Sequence, residues 1–462
     1  MQVRFGTDGV RGVANAQLGA ELVLALGRAA ARALPAPCFI IGRDTRRSGP
    51  LLQAAMSAGL ASEGVDVVDV GVLPTPGLAW LSAVRGVPAA VVSASHNPFD
   101  DNGIKIFAPG GLKLPASTEA AIEEELESFL EDPEVLERPT GAGVGCLRQE
   151  PGAAQVYVDH LAGVLEGRDL AGLQVVVDCA NGAASSVAPA ALRSVGARVH
   201  AIACEPDGMN INEGCGSTHP EALAAEVVAR RADVGVALDG DADRLVPVDH
   251  TGAVATGDEM LALFASDLAG RGKLAGDTVV VTVMSNLGFH RAMAARGIAV
   301  LETPVGDRHI LEALDDGDLA LGGEQSGHIV FRELATTGDG VLSALLLLDL
   351  VRRSGRPLAE LVGDAMRRVP QVLANVAVAD PRSVLAAEEV RNTLSAVEES
   401  LGASGRVLLR ASGTEPLVRV MVEATEEQAA LAAAERLCRA VEMAGAEDSR
   451  LAGRAGTRPT PR

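Results

Sequence analysis

Lysine is nearly absent from this chain: among 462 residues it stands only at 105, 113 and 273, so the basic complement is almost wholly arginine. Aromatic residues make up 2% of the sequence, with one Trp and one Tyr, which leaves the interior to Ala, Val and Leu. No apolar run reaches the roughly 20 residues that a membrane-crossing helix needs. The longest, Val341 to Val351, is broken by Asp349. The first residues lack a basic segment followed by an apolar stretch and a small-residue cleavage site, so they do not read as a secretory leader. The six cysteines, at 38, 146, 179, 204, 215 and 438, form neither CxxC pairs nor metal-ligand spacings and are expected to be reduced thiols. Together these absences predict a cytoplasmic protein.

Positive charge is scarce overall. A formal net charge of -21 repels nucleic acid and anionic membrane at long range, and neither is expected as a partner. An anionic substrate then needs local cations, and arginine suits planar, bidentate phosphate contacts. The length exceeds what one core can hold and predicts three or four domains.

A repeat organises most of the chain. Short apolar runs typical of buried strands occur at CFIIGRD from Cys38, LQVVVDC from Leu173 and DTVVVTV from Asp277. Each is followed by an Ala-rich helical segment that stops at Gly64, Gly196 or Gly297, as a left-handed cap requires. A second strand follows, and a third runs straight into a polar, Gly-containing loop: AAVVSASHNP, VGVALDGDADR and LALGGEQSGH. This alternation predicts α/β layers with substantially parallel sheets, whose ligands gather beyond the carboxyl ends of strands. Near residue 367 the pattern changes to NVAVAD, a charged helical stretch around 383 to 400, and strands VLLR and VRVMVEA flanking ASGTEPL. The expected division is α/β domains over 1–150, 151–250 and 251–366 and a smaller α+β domain over 367–445. Linkers are expected at 137–150 and 364–371, and a disordered tail over 446–462, where little can be buried.

The loops carry the chemistry. Asp239, Asp241 and Asp243 stand at alternate positions with Gly240 and Ala242 between them, so three carboxylates can curl around one hard cation of the Mg2+ type. A calcium EF-hand is excluded, because its sixth and twelfth positions hold Arg244 and His250 instead of Gly and Glu. In SASHNPFDDNGIK, a turn exposes either Ser93 or Ser95 as a nucleophile, with His96 or Lys105 to orient the hydroxyl or stabilise a phosphoryl group. GEQSGH sets Glu324, Ser326 and His328 on alternate residues, which in an extended loop puts them on one face suited to sugar hydroxyls. RASGTEPLVR gathers Arg410, Ser412, Gly413, Thr414 and Arg419 into a cradle for a dianion. RFGTDGVRG adds Arg4, Thr7, Asp8 and Arg11 near the start. A phosphatase of the haloacid dehalogenase type, with Asp239 as nucleophile, is a rival reading of DGDADR, and a non-catalytic phosphosugar-binding protein is another.

With these residues in view, the chain resembles the α-D-phosphohexomutase family over essentially its whole length, because SASHNP, DGDADR, GEQSGH and RASGTEPLVR occur in the family's order. The resemblance implies three similar mixed-sheet α/β domains plus a smaller C-terminal α+β domain around a central cleft. It chooses Ser95 over Ser93 as the phosphoserine, and it places one Mg2+ per chain on Asp239, Asp241, Asp243 and an oxygen of the Ser95 phosphate. Gln325, with the RFGTDGVRG and SASHNPFDDNGIKIF segments, is most similar to the bacterial branch that acts on glucosamine phosphates; glucose or mannose phosphates are the alternative. Asp307 and Arg308 stand where some relatives place a His, which leaves Arg11, Lys105 and His328 as candidates for the general base.

The expected reaction moves the phosphoryl of Ser95 onto a sugar monophosphate and gives a 1,6-bisphosphate, whose other phosphate then returns to Ser95. Arg244 neutralises the moving charge, Glu324 and Ser326 grip the ring, and Arg410, Ser412, Thr414 and Arg419 hold the idle phosphate. The product would feed UDP-N-acetylglucosamine and cell-wall precursor synthesis. Glucosamine 1,6-bisphosphate or glucose 1,6-bisphosphate is the expected activator, a small phosphosugar the expected partner, and a homodimer the candidate assembly.

Overall fold

The computed structural model describes Gly6 and residues 9–131, 138–412 and 416–455, with side chains described as far as residue 446. Arg4, Thr7, Asp8, Gly413 and Thr414 lie outside the described residues. The described chain forms two compact units, one of residues 1–284 and 293–365, the other of residues 285–292 and 366–462.

The first unit contains three sheets of matching topology. The first is built from β1 (Val10–Val13), β2 (Cys38–Arg43), β3 (Asp66–Val72), β4 (Ala89–Val92), β5 (Asp101–Ala108), β6 (Leu112–Lys113) and β7 (Leu147–Gln149), in the order β1-β5-β4-β2-β3-β7 with β6 on β5. The second holds β8 (Gln174–Asp178), β9 (Arg198–Ile202), β10 (Val234–Leu238) and β11 (Leu245–Asp249) in the order β11-β10-β8-β9. The third holds β12 (Thr278–Thr282), β13 (Ala299–Thr303), β14 (Leu321–Gly323) and β15 (Ile329–Phe331) in the order β13-β12-β14-β15.

In each, three parallel strands are followed by one antiparallel strand, β4 by β5, β10 by β11 and β14 by β15. The first sheet is extended by β7, parallel on β3, and by β1 and β6, antiparallel on β5. The repeated runs are the central strands β2, β8 and β12, whose Val and Ile side chains are almost wholly buried, as expected of strands covered on both faces. Each polar loop joins the third strand to this antiparallel partner, so the equivalence read from the sequence is geometrical. The sheets are mixed because that strand returns antiparallel; in β5 and β11 it carries polar residues, and in β15 it is only the short buried run Ile329–Phe331. Gly64, Gly196 and Gly297 all have left-handed backbones, with φ of 89°, 92° and 71°, where a Cβ would be strained.

The Gly-rich stretch 137–150 is more than a linker, since β7 within it pairs in parallel with β3. Asp349, which interrupts the longest apolar run, sits on helix Gly340–Ser354 and is buried. Its carboxylate accepts from Arg168 Nε at 3.0 Å and Arg353 Nε at 2.9 Å, so the charge is compensated. Among the described residues no helix is long and apolar enough to cross a membrane.

The second unit contains β16 (Gln371–Ala377), β17 (Gly405–Ala411) and β18 (Leu417–Ala424), an antiparallel sheet in the order β16-β18-β17. Helices Glu388–Leu401 and Glu427–Ala455 cover it through Val390, Val397, Leu437 and Val441. Residues 456–462 lie outside the described residues; the second helix runs to Ala455. The composition there has little to bury, but Ala, Glu, Arg and Leu are strong helix formers and extend a helix already anchored by its apolar stripe.

Candidate active site

The turn after β4 places Ser95 with a left-handed backbone, φ 52°, and buries it to 2% exposure. Its Oγ donates to Asp239 Oδ2 at 2.6 Å and lies 3.3 Å from His96 Nδ1. Ser93, the other candidate, is turned away: its Oγ donates to Asp44 Oδ2 at 2.7 Å and accepts the Ser95 N–H at 3.0 Å. Burial, aided by the charges of Arg244 and Arg11, lowers the His96 pKa to about 4, so this imidazole is neutral at physiological pH.

The turn after β10 brings one oxygen each of Asp239, Asp241 and Asp243 within 4.8 Å of one another, all three residues buried. Thr75 Oγ1 and Lys105 Nζ both donate to Asp241 Oδ2 at 2.7 Å, and Lys105 Nζ also reaches Asp243 Oδ2 at 3.3 Å. Burial pushes the Asp239 carboxyl well above the ordinary range, and the charges of Asp243 and Asp241 add to the rise. Burial opposes ionisation of Asp241 and Asp243 too, and Asp243 also repels Asp241, but Lys105, joined by Thr75 at Asp241 and by His328 and Arg244 at Asp243, holds both below the usual range. Asp241 Oδ1 and Asp243 Oδ1 are buried without a hydrogen-bond partner. Orphaned carboxylate oxygens beside an all-oxygen donor set fit a hard divalent cation.

Two further cations and one more imidazole surround this centre. Arg244 donates its backbone N–H to Asp239 Oδ1 at 3.1 Å, and its Nε lies 3.7 Å from Asp243 Oδ1. Arg11, on β1 in register with Gly103, acts electrostatically on His96. His328 is buried with Nδ1 3.9 Å from Asp243 Oδ1, while its Nε2 accepts the Gly338 N–H at 3.1 Å. A Cβ on Gly338 would lie 2.6 Å from the imidazole, so glycine is required at that approach.

The sugar-loop residues separate. Residues 324–328 form a tight turn, closed by Gly327 N–H on Glu324 O at 3.0 Å and Glu324 N–H on His328 O at 2.9 Å. Ser326 Oγ donates to Glu324 Oε2 at 3.2 Å, so these two stay together. His328 instead turns inward to the carboxylates, which corrects the reading of one extended face, because the β14–β15 hairpin closes the loop. Asp307 and Arg308 are committed to ion pairs with Lys113 and Glu119. In the second unit Arg410 and Arg419 are cross-strand neighbours on β17 and β18, and Ser412 N–H donates to Leu417 O at 2.9 Å. Two like charges directly opposite are unfavourable alone and suit an anion.

Sequence reasoning missed Asp44, Arg46, Thr75 and Asn212. Arg46 and Asn212 hold carbonyls of the Ser95 turn, and Thr75 holds Asp241. The signal available was positional: Asp44 follows β2 as Asp178 closes β8, and each caps nearby backbone N–H groups.

Models of phosphoglucomutase/phosphomannomutase match the chain throughout: α/β/α domain I over residues 2–131, domain II over 155–252, domain III over 256–369 and the C-terminal domain over 373–440. A solved phosphoglucomutase/phosphomannomutase family protein from Burkholderia thailandensis superimposes with a TM-score of 0.81 at 27% identity, covering 96% of this chain and 98% of that one. An Aspergillus fumigatus N-acetylphosphoglucosamine mutase, solved with GlcNAc-6P and magnesium, shares the fold at a TM-score of 0.69 and 20% identity, covering 96% of each chain. This is the phosphohexomutase class.

Sequence relatives narrow it. A phosphoglucosamine mutase of Rhodococcus opacus is 52% identical over 440 residues, 94% of this chain and 98% of that one. One from Saccharopolyspora erythraea is 53% identical over 444 residues, 95% and 98% respectively. The chain belongs to the α-D-phosphohexomutase family, in its phosphoglucosamine mutase branch.

Proposed function

We propose that the protein interconverts glucosamine 6-phosphate and glucosamine 1-phosphate through phosphorylated Ser95 and a 1,6-bisphosphate. The observation that carries this reading is Ser95 Oγ held 2.6 Å from Asp239 within a buried acidic triad. In the first half-reaction the P–O bond to Ser95 breaks as a P–O bond forms to the free sugar hydroxyl. That hydroxyl loses its proton, and Ser95 Oγ regains one. In the second half-reaction the other phosphate of the bisphosphate returns to Ser95.

Each side chain has a part in this scheme. Asp239 and His96 are within reach of the Ser95 proton, and neutral His96 can pass it either way. Lys105, Arg11 and Arg244 supply positive charge where the transferring group accumulates negative charge. Mg2+ held by Asp239, Asp241 and Asp243 with a Ser95 phosphate oxygen would, when bound, neutralise further charge there. His328 keeps its proton on Nδ1, because Nε2 takes the Gly338 N–H, and so orients Asp243. Glu324 and Ser326 grip ring hydroxyls, and Arg410, Ser412, Gly413, Thr414 and Arg419 take the phosphate that does not react.

Initial loading of Ser95 comes from glucosamine 1,6-bisphosphate or glucose 1,6-bisphosphate. The protein acts in the cytoplasm on small phosphosugars, with no nucleic acid or membrane partner, as a homodimer. The test is conversion of glucosamine, glucose and mannose phosphates with Mg2+ and the bisphosphate supplied, together with mass spectrometry of the phosphopeptide. Fastest turnover of the glucosamine phosphates and acid-stable phosphate on Ser95 are expected. Acid-labile phosphate on Asp239 would establish the phosphatase-type mechanism instead.

A further inference from the structure

Arg46 is wholly buried, and its guanidinium is spent on one turn. Nε donates to Asp44 Oδ2 at 2.9 Å; Nη1 donates to the carbonyls of Pro98 and Asp101, the latter at 3.1 Å; Nη2 donates to those of Ser95 at 2.9 Å and Asn97 at 2.8 Å. Asn212 reaches the same turn from the domain that carries the acidic triad. Its Nδ2 donates to Ser95 O at 2.9 Å and Asn97 O at 3.0 Å. The triad loop itself presses on this point, since a Cβ on Gly240 would stand 2.5 Å from Ser95 O and 2.9 Å from Asn212 Nδ2.

The carbonyl of Ser95 is thus fixed from both sides, while its backbone sits in the left-handed region that serine rarely occupies. A seryl backbone left to relax would swing Oγ away from Asp239. Arg46 is too deeply buried to touch a substrate, and both hydrogens on Asn212 Nδ2 are already placed on the turn. Their effect therefore passes through Ser95.

We infer that Arg46 and Asn212 are positioning residues for the nucleophile, a clamp that registers Ser95 against the acidic triad across two domains; this rests on the reading of Ser95 as the phosphoryl carrier. Such a clamp acts on the rate of phosphoryl transfer and leaves substrate binding nearly unchanged.

The experiment compares wild type, Asn212→Gly and Arg46→Lys. Glycine keeps the left-handed backbone of Asn212, φ 58°, without strain. Lysine keeps a charge beside Asp44 but loses the fork that spans several carbonyls. With the bisphosphate supplied, kcat for glucosamine 1-phosphate should fall roughly 10- to 100-fold, the scale of a misplacement near 1 Å. KM should stay within about threefold of wild type, and melting should stay cooperative. If Arg46→Lys fails to fold, Asn212→Gly decides alone. A kcat within about threefold of wild type overturns the clamp, as does a loss matched by an equal rise in KM. A wild-type protein without mutase turnover or phosphoserine would instead overturn the underlying function.

Discussion

The phenol of Tyr157 donates a hydrogen bond to the carboxylate of Asp339, and both groups are buried. Tyr157 lies on helix Ala153–Gly163, and Asp339 caps helix Gly340–Ser354 by accepting from Leu342 N–H at 2.9 Å. The only Trp joins them, since Trp80 stacks on His160 with centroids 4.2 Å apart. The single Trp and the single Tyr thus meet where segments from all three sheet-bearing domains come together.

Burial raises the Asp339 pKa to about 6, only partly offset by the Leu342 N–H and the Tyr157 hydroxyl. With its folded pKa above the unfolded value near 3.9, this group's contribution to stability is fully present below about pH 4 and lost as pH rises through about 6. Asp339→Asn keeps the cap and the acceptor but cannot ionise. Its stability relative to wild type should therefore be higher at about pH 7.5 than at about pH 4, by up to roughly 3 kcal/mol. Urea unfolding at the two pH values measures this; an equal difference at both would contradict it.

Ser95→Ala should fold normally and lose turnover by at least about a thousandfold, because the covalent carrier is gone. Intact-mass analysis after incubation with the bisphosphate should show no added phosphate. Retention of most activity would rule out the phosphoserine route.

Asp241→Asn should raise the Mg2+ concentration for half-maximal turnover by at least about tenfold, since it removes one of three anionic ligands. A metal titration of the reaction gives the answer directly, and an unchanged midpoint would place the cation elsewhere. Chelation should stop the wild-type reaction, and added Mg2+ should restore it.

In the second unit the fully buried Glu423 accepts from Asn286 Nδ2 at 2.8 Å, Leu287 N–H at 3.0 Å, Gln371 Nε2 at 2.8 Å and Arg406 Nε at 2.7 Å. Glu423→Ala should cost about 3–5 kcal/mol locally by leaving these donors unsatisfied. Hydrogen exchange should then accelerate at the Leu287 amide and across β18. Unaltered protection there would show that segment 285–292 is held by something else.

Much of the fold was legible because the buried strands announce themselves through Val and Ile, and the helices through their glycine stops. The antiparallel β5 and β11 and the edge strand β7 were less so, since they mix polar residues with short apolar stretches, and β15, only three residues long, is too short to read as a strand. The three aspartates could be picked out by local spacing, whereas the serine loop offered Ser93 and Ser95 and only the family resemblance chose between them. Arg46, Asn212 and Thr75 could not, because their partners come from sequence positions 49, 117 and 166 residues away. His328 shows the same limit: alternate spacing put it beside Glu324, and the hairpin turned it toward Asp243.

The scarcity of lysine makes the site unusually easy to observe by amine chemistry. Lys105 is tied to Asp241 and Asp243 and Lys113 to Asp307, whereas Lys273 is exposed. An amine-selective acylating reagent therefore meets one open lysine and two whose labelling reports whether their carboxylate partners still hold them. Peptide mapping at those two residues amounts to a built-in occupancy gauge for the acidic triad and the cleft beside it.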